Sequence, residues 1–245
     1  MTQRQVTIVT TTYNCISDIE GYYKAFMALD GTLFDWIIID AGSTDGTSQY
    51  LAERAERFSY YLSEADAGFY FGLNKAVEQV KTPYYMVFGA DDRPAPDLLD
   101  AVLPKLAKAP ALVLGAVRLM PTGVVKVPGP RWWHPWVWGR AISHHSVGTV
   151  IQRSSHQLYG LYDTKYSLVA DGLFLKRILR SNAYIERTDS IFGDFLLGGM
   201  SSKYALRSIA ETFLLQMEEG GNGLIQLGLF CLRVAKHLLL GMVKK

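Results

Sequence analysis

Two adjacent carboxylates, Asp91 and Asp92, follow an apolar run in YYMVFGADDRP, residues 84–94. Like charges held this close repel one another, so the pair needs compensation. A hard divalent cation, Mg²⁺ or Mn²⁺, binds through one or two carboxylates together with substrate phosphates. Placed here it would neutralise charge on a diphosphate leaving group. The same residues also fit a plain helix start, because DDRPAPDLLDAV offers Asp and Pro where a helix N-terminus accepts them. Asp40 is a second candidate: it ends the apolar run FDWIIID and opens AGSTDGT, where Gly42 and Gly46 permit tight turns. No neighbour in that run neutralises it, so it suits hydrogen bonds from a base N–H or from ribose hydroxyls. The competing expectation is a capped turn, with Ser43 or Asp45 as the cap. The stretch is neither a Walker loop nor a dinucleotide fingerprint, because it lacks Gly-Lys-Ser/Thr and its glycine spacing differs.

These groups need strands to carry them. VTIVTTTYN (6–14), FDWIIID (34–40), YYLSE (60–64) and PYYMVFGA (83–90) are β-branched or aromatic runs and predict strands. Helical spacing fills the gaps over 17–29, with Ser17 as N-cap, over 47–58 and over 68–80. Alternating strands and helices predict an α/β domain with a mainly parallel sheet, whose ligands sit beyond the carboxyl ends of the strands. That rule selects Thr11–Asn14, Asp40–Thr47, Glu64–Gly68 and Ala90–Arg93, all of them polar. Further on, 111–120 and 123–127 predict a hairpin around Pro121–Gly123, and Ala170–Arg180 a helix. Two helical stretches close the chain. The expected organisation is one domain over 1–200, with halves at 1–110 and 111–200, and a helical appendage over 201–245.

With 245 residues, 49% apolar and 20% charged, the chain can bury a substantial core and is not disordered. Its net charge of +2 gives no polyanion-binding signature and excludes nucleic acid as an expected partner. Cys15 and Cys231 read as reduced thiols rather than a disulfide framework. No signal-peptide pattern and no uncharged run of spanning length is seen, so a cytosol-facing protein is expected.

TTTYN, IIIDAGSTDGT, SEADAGFYFGLNKA and FGADD, in that order and each after a strand, resemble the nucleotide-sugar domain of glycosyltransferase family 2. These are inverting enzymes of GT-A (Rossmann-like) fold, and the bacterial members that build exopolysaccharide, capsule and O-antigen are the nearest in pattern. The resemblance covers roughly residues 5–180. It implies that Thr11 and Tyr13 lie beside the nucleotide and that Asp40 contacts the base, usually uracil. It implies further that Asp66, Asn74 and Lys75 serve the donor. Asp91 and Asp92 match the Asp-x-Asp-type signature with Ala90 at its first position, which puts the metal on Asp92 and Asp91 nearer the ribose or sugar.

The segment YGLYDTKYSLVADGLFLKRI matches the part of the family that carries the catalytic base, at Asp171. One base suffices for an inverting transfer, deprotonating the acceptor hydroxyl as it attacks. The family often has a second acidic residue beside this one; here Gly172 follows, and Asp163 reads as a turn residue. Without the resemblance, Asp171 reads equally as a helix cap.

Trp132, Trp133 and Trp136 in RWWHPWVWGR suit acceptor contacts, since tryptophan stacks on sugar rings, and equally a membrane interface or a hydrophobic plug packed on the sheet. His144 and His145 lack the spacing of a metal cluster and are expected in structural or acceptor-side packing, the alternative implied by the resemblance being contact with the metal or a phosphate. In the last helix Gln226, Arg233, Lys236, His237 and Lys244 fall on one side, and Leu224, Leu227, Leu238, Leu239 and Met242 largely elsewhere. That pattern fits in-plane attachment to an anionic cytoplasmic leaflet, or packing on the domain or in a homodimer. The expectation is therefore a metal-dependent, inverting hexosyltransferase, peripheral on the inner face of the membrane. Its donor would be a nucleotide-sugar, UDP-linked, and its acceptor a polyprenyl-diphosphate-linked or polysaccharide glycan. Two rivals are a degenerate, non-catalytic assembly partner and a nucleotidyltransferase, which would want an Arg/Lys-bearing loop that TTTYNCIS lacks.

Overall fold

The computed structural model describes residues 4–129, 146–199 and 203–243. Four parallel strands, β1 (Val6–Thr12), β2 (Phe34–Asp40), β3 (Tyr60–Ser63) and β4 (Tyr84–Val87), are linked by α1 (Ile16–Met27), α2 (Thr47–Ala52) and α3 (Phe69–Gln79). β5 (Arg93–Pro94), α4 (Leu98–Val102), β6 (Leu112–Met120), β7 (Val124–Lys126) and β8 (Thr149–Gln152) follow. α5 (Ser155–Tyr159), α6 (Ala170–Arg180), β9 (Ile185–Leu196), α7 (Ala205–Glu218) and α8 (Gly223–Val243) complete the described chain.

The strand order is β3-β2-β1-β4-β8-β6-β9-β5, with β7 paired to β6. Pairing is parallel through the first four strands and between β6 and β9, and antiparallel at β4–β8, β8–β6, β9–β5 and β6–β7. After β1 the chain winds outward through β2 to β3 and then crosses back to β4, so the topological switch point lies between β1 and β4. β5 follows β4 closely in sequence, yet pairs with Gly193 and Asp194 at the far end of the strand order. So short a connection requires the sheet to curl and brings the end of β9 over the end of β4.

Strand alternation sorts the core into two layers, one on each face of the sheet. Val6, Ile8, Trp36, Ile38, Tyr84 and Met86 pack with Tyr22 and Phe26 of α1 on one face. Val9, Ile37, Ile39, Tyr85 and Val87 pack with Leu73 and Val77 of α3 and Phe174 and Ile178 of α6 on the other.

The structure corrects several sequence expectations. α2 stops at Ala52 and the chain tightens through a 3-10 turn at Ala55–Arg57, because Phe58 must turn back into the core. Ser17 is not the cap of α1: Cys15 holds that position, and the Ile16 N–H is taken by Asp45 Oδ2 at 3.0 Å, while Ser17 bonds its neighbour Asp18. Asp45 does not cap α2 as N-cap residue either; Gly46 does so with φ 101°, a left-handed value that favours glycine. The C-terminal helical appendage is present, and α7 packs on the body: its Leu215 belongs to the layer built on α6. Glu211 also accepts from Ser167 Oγ at 2.6 Å and Leu168 N at 2.9 Å.

Candidate active site

β1 and β2 end in register, Thr12 beside Asp40, so their loops emerge side by side. Asn14 and Ser43 latch them together: Asn14 N–H donates to Ser43 Oγ at 2.8 Å, and Thr44 N–H to Asn14 Oδ1 at 2.9 Å. Asp40 sits beneath, fully buried. Its Oδ1 accepts from Thr12 Oγ1 at 2.8 Å and Ser43 Oγ at 2.5 Å, and its Oδ2 from Ser43 N at 2.9 Å and Ser63 Oγ at 2.7 Å. Among the described residues Asp40 thus has no ion-pair partner but a full set of donors from three strand ends. It builds the floor of this corner, and a direct bond to a base requires one of those hydroxyls to turn away. Tyr13, 65% exposed, stands above as a free aromatic face.

α3 packs close to the strand ends because Gly72 has no side chain. A Cβ there would lie 2.9 Å from Asp66 Oδ2, 3.4 Å from Thr11 Cγ2 and 3.5 Å from Ile39 Cγ2. Thr11 and Asp66 are therefore gathered around one point. The Thr11 Oγ1 atom is buried without a hydrogen-bond partner among the described residues, while Asp66 Oδ1 accepts from Gly68 N–H at 2.8 Å. Lys75 points aside, paired with Glu64 at 2.7 Å. Asn74 is committed to structure: its Nδ2 donates to Tyr162 O and its Oδ1 accepts from Tyr162 N–H, each at 2.9 Å.

Across the switch point, Asp91 and Asp92 converge. A Cβ on Gly89 would sit 2.6 Å from Asp91 Oδ1 and 3.1 Å from Asp92 Oδ2, so only glycine leaves the two carboxylates room. Asp92 is 2% exposed. Its Oδ2 accepts from Gly89 N–H at 2.8 Å, and among the described residues its Oδ1 finds no hydrogen bond of ordinary geometry. Burial, and then the Asp91 charge, push the Asp92 carboxyl up to about 7, against weaker pulls from the Gly89 and Leu196 backbone and from Arg93. Burial raises Asp91 as well. Arg93 braces the loop from behind, donating to Ala90 O at 3.0 Å, Asp92 O at 2.7 Å and Asp18 O at 3.3 Å. The helix-cap alternative fails here: α4 begins only at Leu98, after Asp97. A buried, bare carboxylate oxygen beside a second carboxylate is the donor set a hard divalent cation fits.

Asp171 lies in the first turn of α6, where a carboxylate is favoured by the helix dipole. It is not the cap, a position held by Val169 without a side-chain bond. Tyr70 of α3, 4% exposed, donates its hydroxyl to Asp171 Oδ1 at 2.7 Å. Behind it Tyr162 bonds Tyr85 at 2.6 Å, and Tyr85 bonds His156 Nε2 at 2.7 Å. Burial holds His156 below its usual value, so the ring is neutral near pH 7. Sequence reading missed Tyr70 and Ser63, and it named Ser43 and Arg93 without these roles; Tyr70 lies in the same FYFG stretch that carries Gly72, but its partner is 101 positions away. Trp132, Trp133, Trp136, His144 and His145 lie outside the described residues.

Comparison with known proteins adds the last part. The family described as glycosyl transferase family 2 matches residues 7–156. A protein named as an uncharacterized glycosyltransferase from Mycobacterium tuberculosis is 25% identical over 181 residues, covering 70% of this chain and 68% of that protein. The teichoic acid poly(glycerol phosphate) polymerase of Staphylococcus epidermidis is 28% identical over 113 residues, 44% of this chain and 16% of that protein. Among solved structures, S. aureus TarS 1–349 in complex with UDP superposes with a TM-score of 0.66 at 15% identity, covering 95% of this chain and 71% of that one. The mannosyltransferase PcManGT from Pyrobaculum calidifontis, in complex with GDP-Man and Mn²⁺, gives 0.66 at 19% identity, covering 97% and 76%. Those identities speak for the fold alone, which is GT-A. Because the family match takes in more than half of the 245 residues, the chain belongs to glycosyltransferase family 2 and is a glycosyltransferase.

Proposed function

We propose that the chain transfers a sugar, with inversion, from a UDP-linked donor to a hydroxyl of a polyprenyl-diphosphate-linked or polysaccharide glycan at the cytoplasmic face of the membrane. The observation that carries this reading is the bare, buried Oδ1 of Asp92 beside Asp91 at the switch point. On this reading Thr11, Tyr13 and Asp66 receive the nucleotide: Tyr13 stacks on the base, and the unpartnered Thr11 hydroxyl bonds the donor. Asp40 acts through the loop that it fixes. Asp92, with Asp91 toward the ribose or sugar, would hold Mn²⁺ or Mg²⁺. When bound, that ion supplies charge neutralisation for the departing diphosphate. Asp171 accepts the proton of the acceptor hydroxyl as the new bond to the anomeric carbon forms. Two structural neighbours support the donor class, since TarS is seen with UDP and PcManGT with GDP-Man and Mn²⁺.

Melting curves with a panel of nucleotides test the donor and the cation separately. UDP with Mn²⁺, at a hundred times its Kd, is expected to stabilise the fold by about 3 kcal/mol. Chelation should remove most of that gain. A UDP shift indifferent to chelation counts against the cation, and no shift with any nucleotide counts against the donor site.

Tyr70 is then a positioning residue for Asp171. Tyr70→Phe is expected to lower kcat by about tenfold, the worth of one hydrogen bond to a charged group, with the KM for donor unchanged. The Tyr70 hydroxyl favours the ionised carboxylate, so its loss should also move the acidic limb of the pH–rate profile upward. A variant that melts lower but keeps its profile would make Tyr70 merely structural.

A further inference from the structure

α8 carries more apolar surface than its packing covers: Leu229, Phe230 and Val234 are half-buried, and a second apolar side is left outward. An amphipathic helix ordinarily packs its apolar stripe on the body and shows its polar stripe to solvent. Here the side toward α7 carries Gln226, 2% exposed, with Phe230 and Arg233 half-buried on the same face. The Phe230 ring lies 5.2 Å from that of Phe213 on α7. On the other side Leu224, Leu232, Leu238 and Leu239 are exposed by 84%, 61%, 53% and 59%. These leucines fall within an arc of about 120° on the outward face and span about 22 Å of the helix, an apolar ridge. Leu206 and Met217 of α7, which share the helical face of Phe213, are exposed too. Apolar residues scattered singly need no explanation, but a continuous ridge marks an interaction surface.

We propose that this ridge is the attachment surface of the protein, lying in the plane of an anionic bilayer with the leucines in the acyl boundary and the catalytic body above. Charge decides between this occupant and a second copy of the chain. Residues 220–245 contain Arg233, Lys236, Lys244 and Lys245 and no Asp or Glu. Two copies packed ridge to ridge would bring no acidic residue of 220–245 to Lys236, whereas anionic headgroups would meet it. Lys236 is exposed at the flank of the ridge, level with the headgroups when the leucines are immersed. No helix among the described residues is long and apolar enough to cross a membrane, so α8 lies on the bilayer rather than through it. The inference rests on the proposed function only for the side of the membrane, and vesicle binding is scored without turnover, so the two fail separately.

The test is flotation of the full chain with vesicles of phosphatidylglycerol and phosphatidylcholine, against phosphatidylcholine alone. Strong binding to the anionic vesicles is expected, with at least a tenfold weaker affinity for the neutral ones. Binding should weaken severalfold in about 0.5 M NaCl, where screening is nearly complete within a few Å. Leu232→Glu/Leu239→Glu should abolish binding and Lys236→Glu should reduce it severalfold, both with unchanged far-UV circular dichroism, since all three side chains are exposed. Failure to float, or equal binding to both vesicle types, overturns the proposal. So does a solution mass near twice 27.4 kDa that the double variant returns to monomer, because the ridge would then belong to a second copy.

Discussion

Asp171→Asn is expected to lower sugar transfer by about 10³-fold, the range for loss of a general base, while leaving UDP affinity within about twofold of the parent protein. The substitution is nearly isosteric, and the amide oxygen still accepts the Tyr70 hydroxyl that now reaches Oδ1 at 2.7 Å. α6 keeps its first turn, because Asp171 does not cap it. What disappears is an acceptor basic enough to take a hydroxyl proton. Single-turnover transfer and calorimetric UDP binding, measured on the same preparation, separate the two effects. Normal turnover would remove Asp171 from the mechanism. A parallel loss of UDP affinity would place it at the donor instead.

Asp92→Asn should give the opposite pattern. Metal-dependent nucleotide binding is expected to fall by at least about tenfold, the scale of one lost charged ligand, while the ligand-free protein becomes more stable at pH 8, on the order of 2 kcal/mol. The gain follows from burial. The Asp92 carboxyl is raised from 3.8 to about 7, so the folded state binds a proton more tightly than the unfolded chain does. Stability therefore falls as pH rises through that window and levels off above about 7. Asparagine carries no such charge and still accepts the Gly89 N–H. The same titration sets cation affinity, because the ion needs the carboxylate: Mn²⁺ binding should weaken about tenfold per pH unit below 7 and flatten above it. Melting curves at pH 5 and pH 8, with and without Mn²⁺, would show both slopes. A variant less stable than the parent at pH 8 would mean that the buried charge is compensated within the protein itself.

The alternation of four strands with three helices was legible because each strand is a β-branched or aromatic run that ends in polar turn residues. The strand-end rule then located the candidate site, and Thr11, Asp66, Asp91 and Asp92 do gather at adjoining ends of β1, β3 and β4. Less legible was who serves whom. Asp40 looked unaccompanied in FDWIIID, yet its donors come from Thr12, Ser43 and Ser63, on three different segments. Asn74 and Tyr162 are 88 positions apart, and no local pattern reveals a side chain spent on a distant backbone. The amphipathy of α8 could be read from helical spacing, but not its direction, since period alone does not say which face meets the body. The same gap hid the place of α7, whose Glu211 and Leu215 bind it to α6 and to the segment before Asp171.

α3 has a mechanical consequence. Within eleven residues it touches Thr11 and Asp66 through Gly72, reaches Asp171 through Tyr70, and grips the Tyr162 backbone through Asn74. One stiff rod is thereby riveted to both ends of the candidate site. On the proposed reading, the gap between a nucleotide at β1 and a base on α6 would be gauged by helix pitch, not by the swing of two halves about a hinge. Alignment is then a property machined in during folding, and a bound donor inherits it without having to create it.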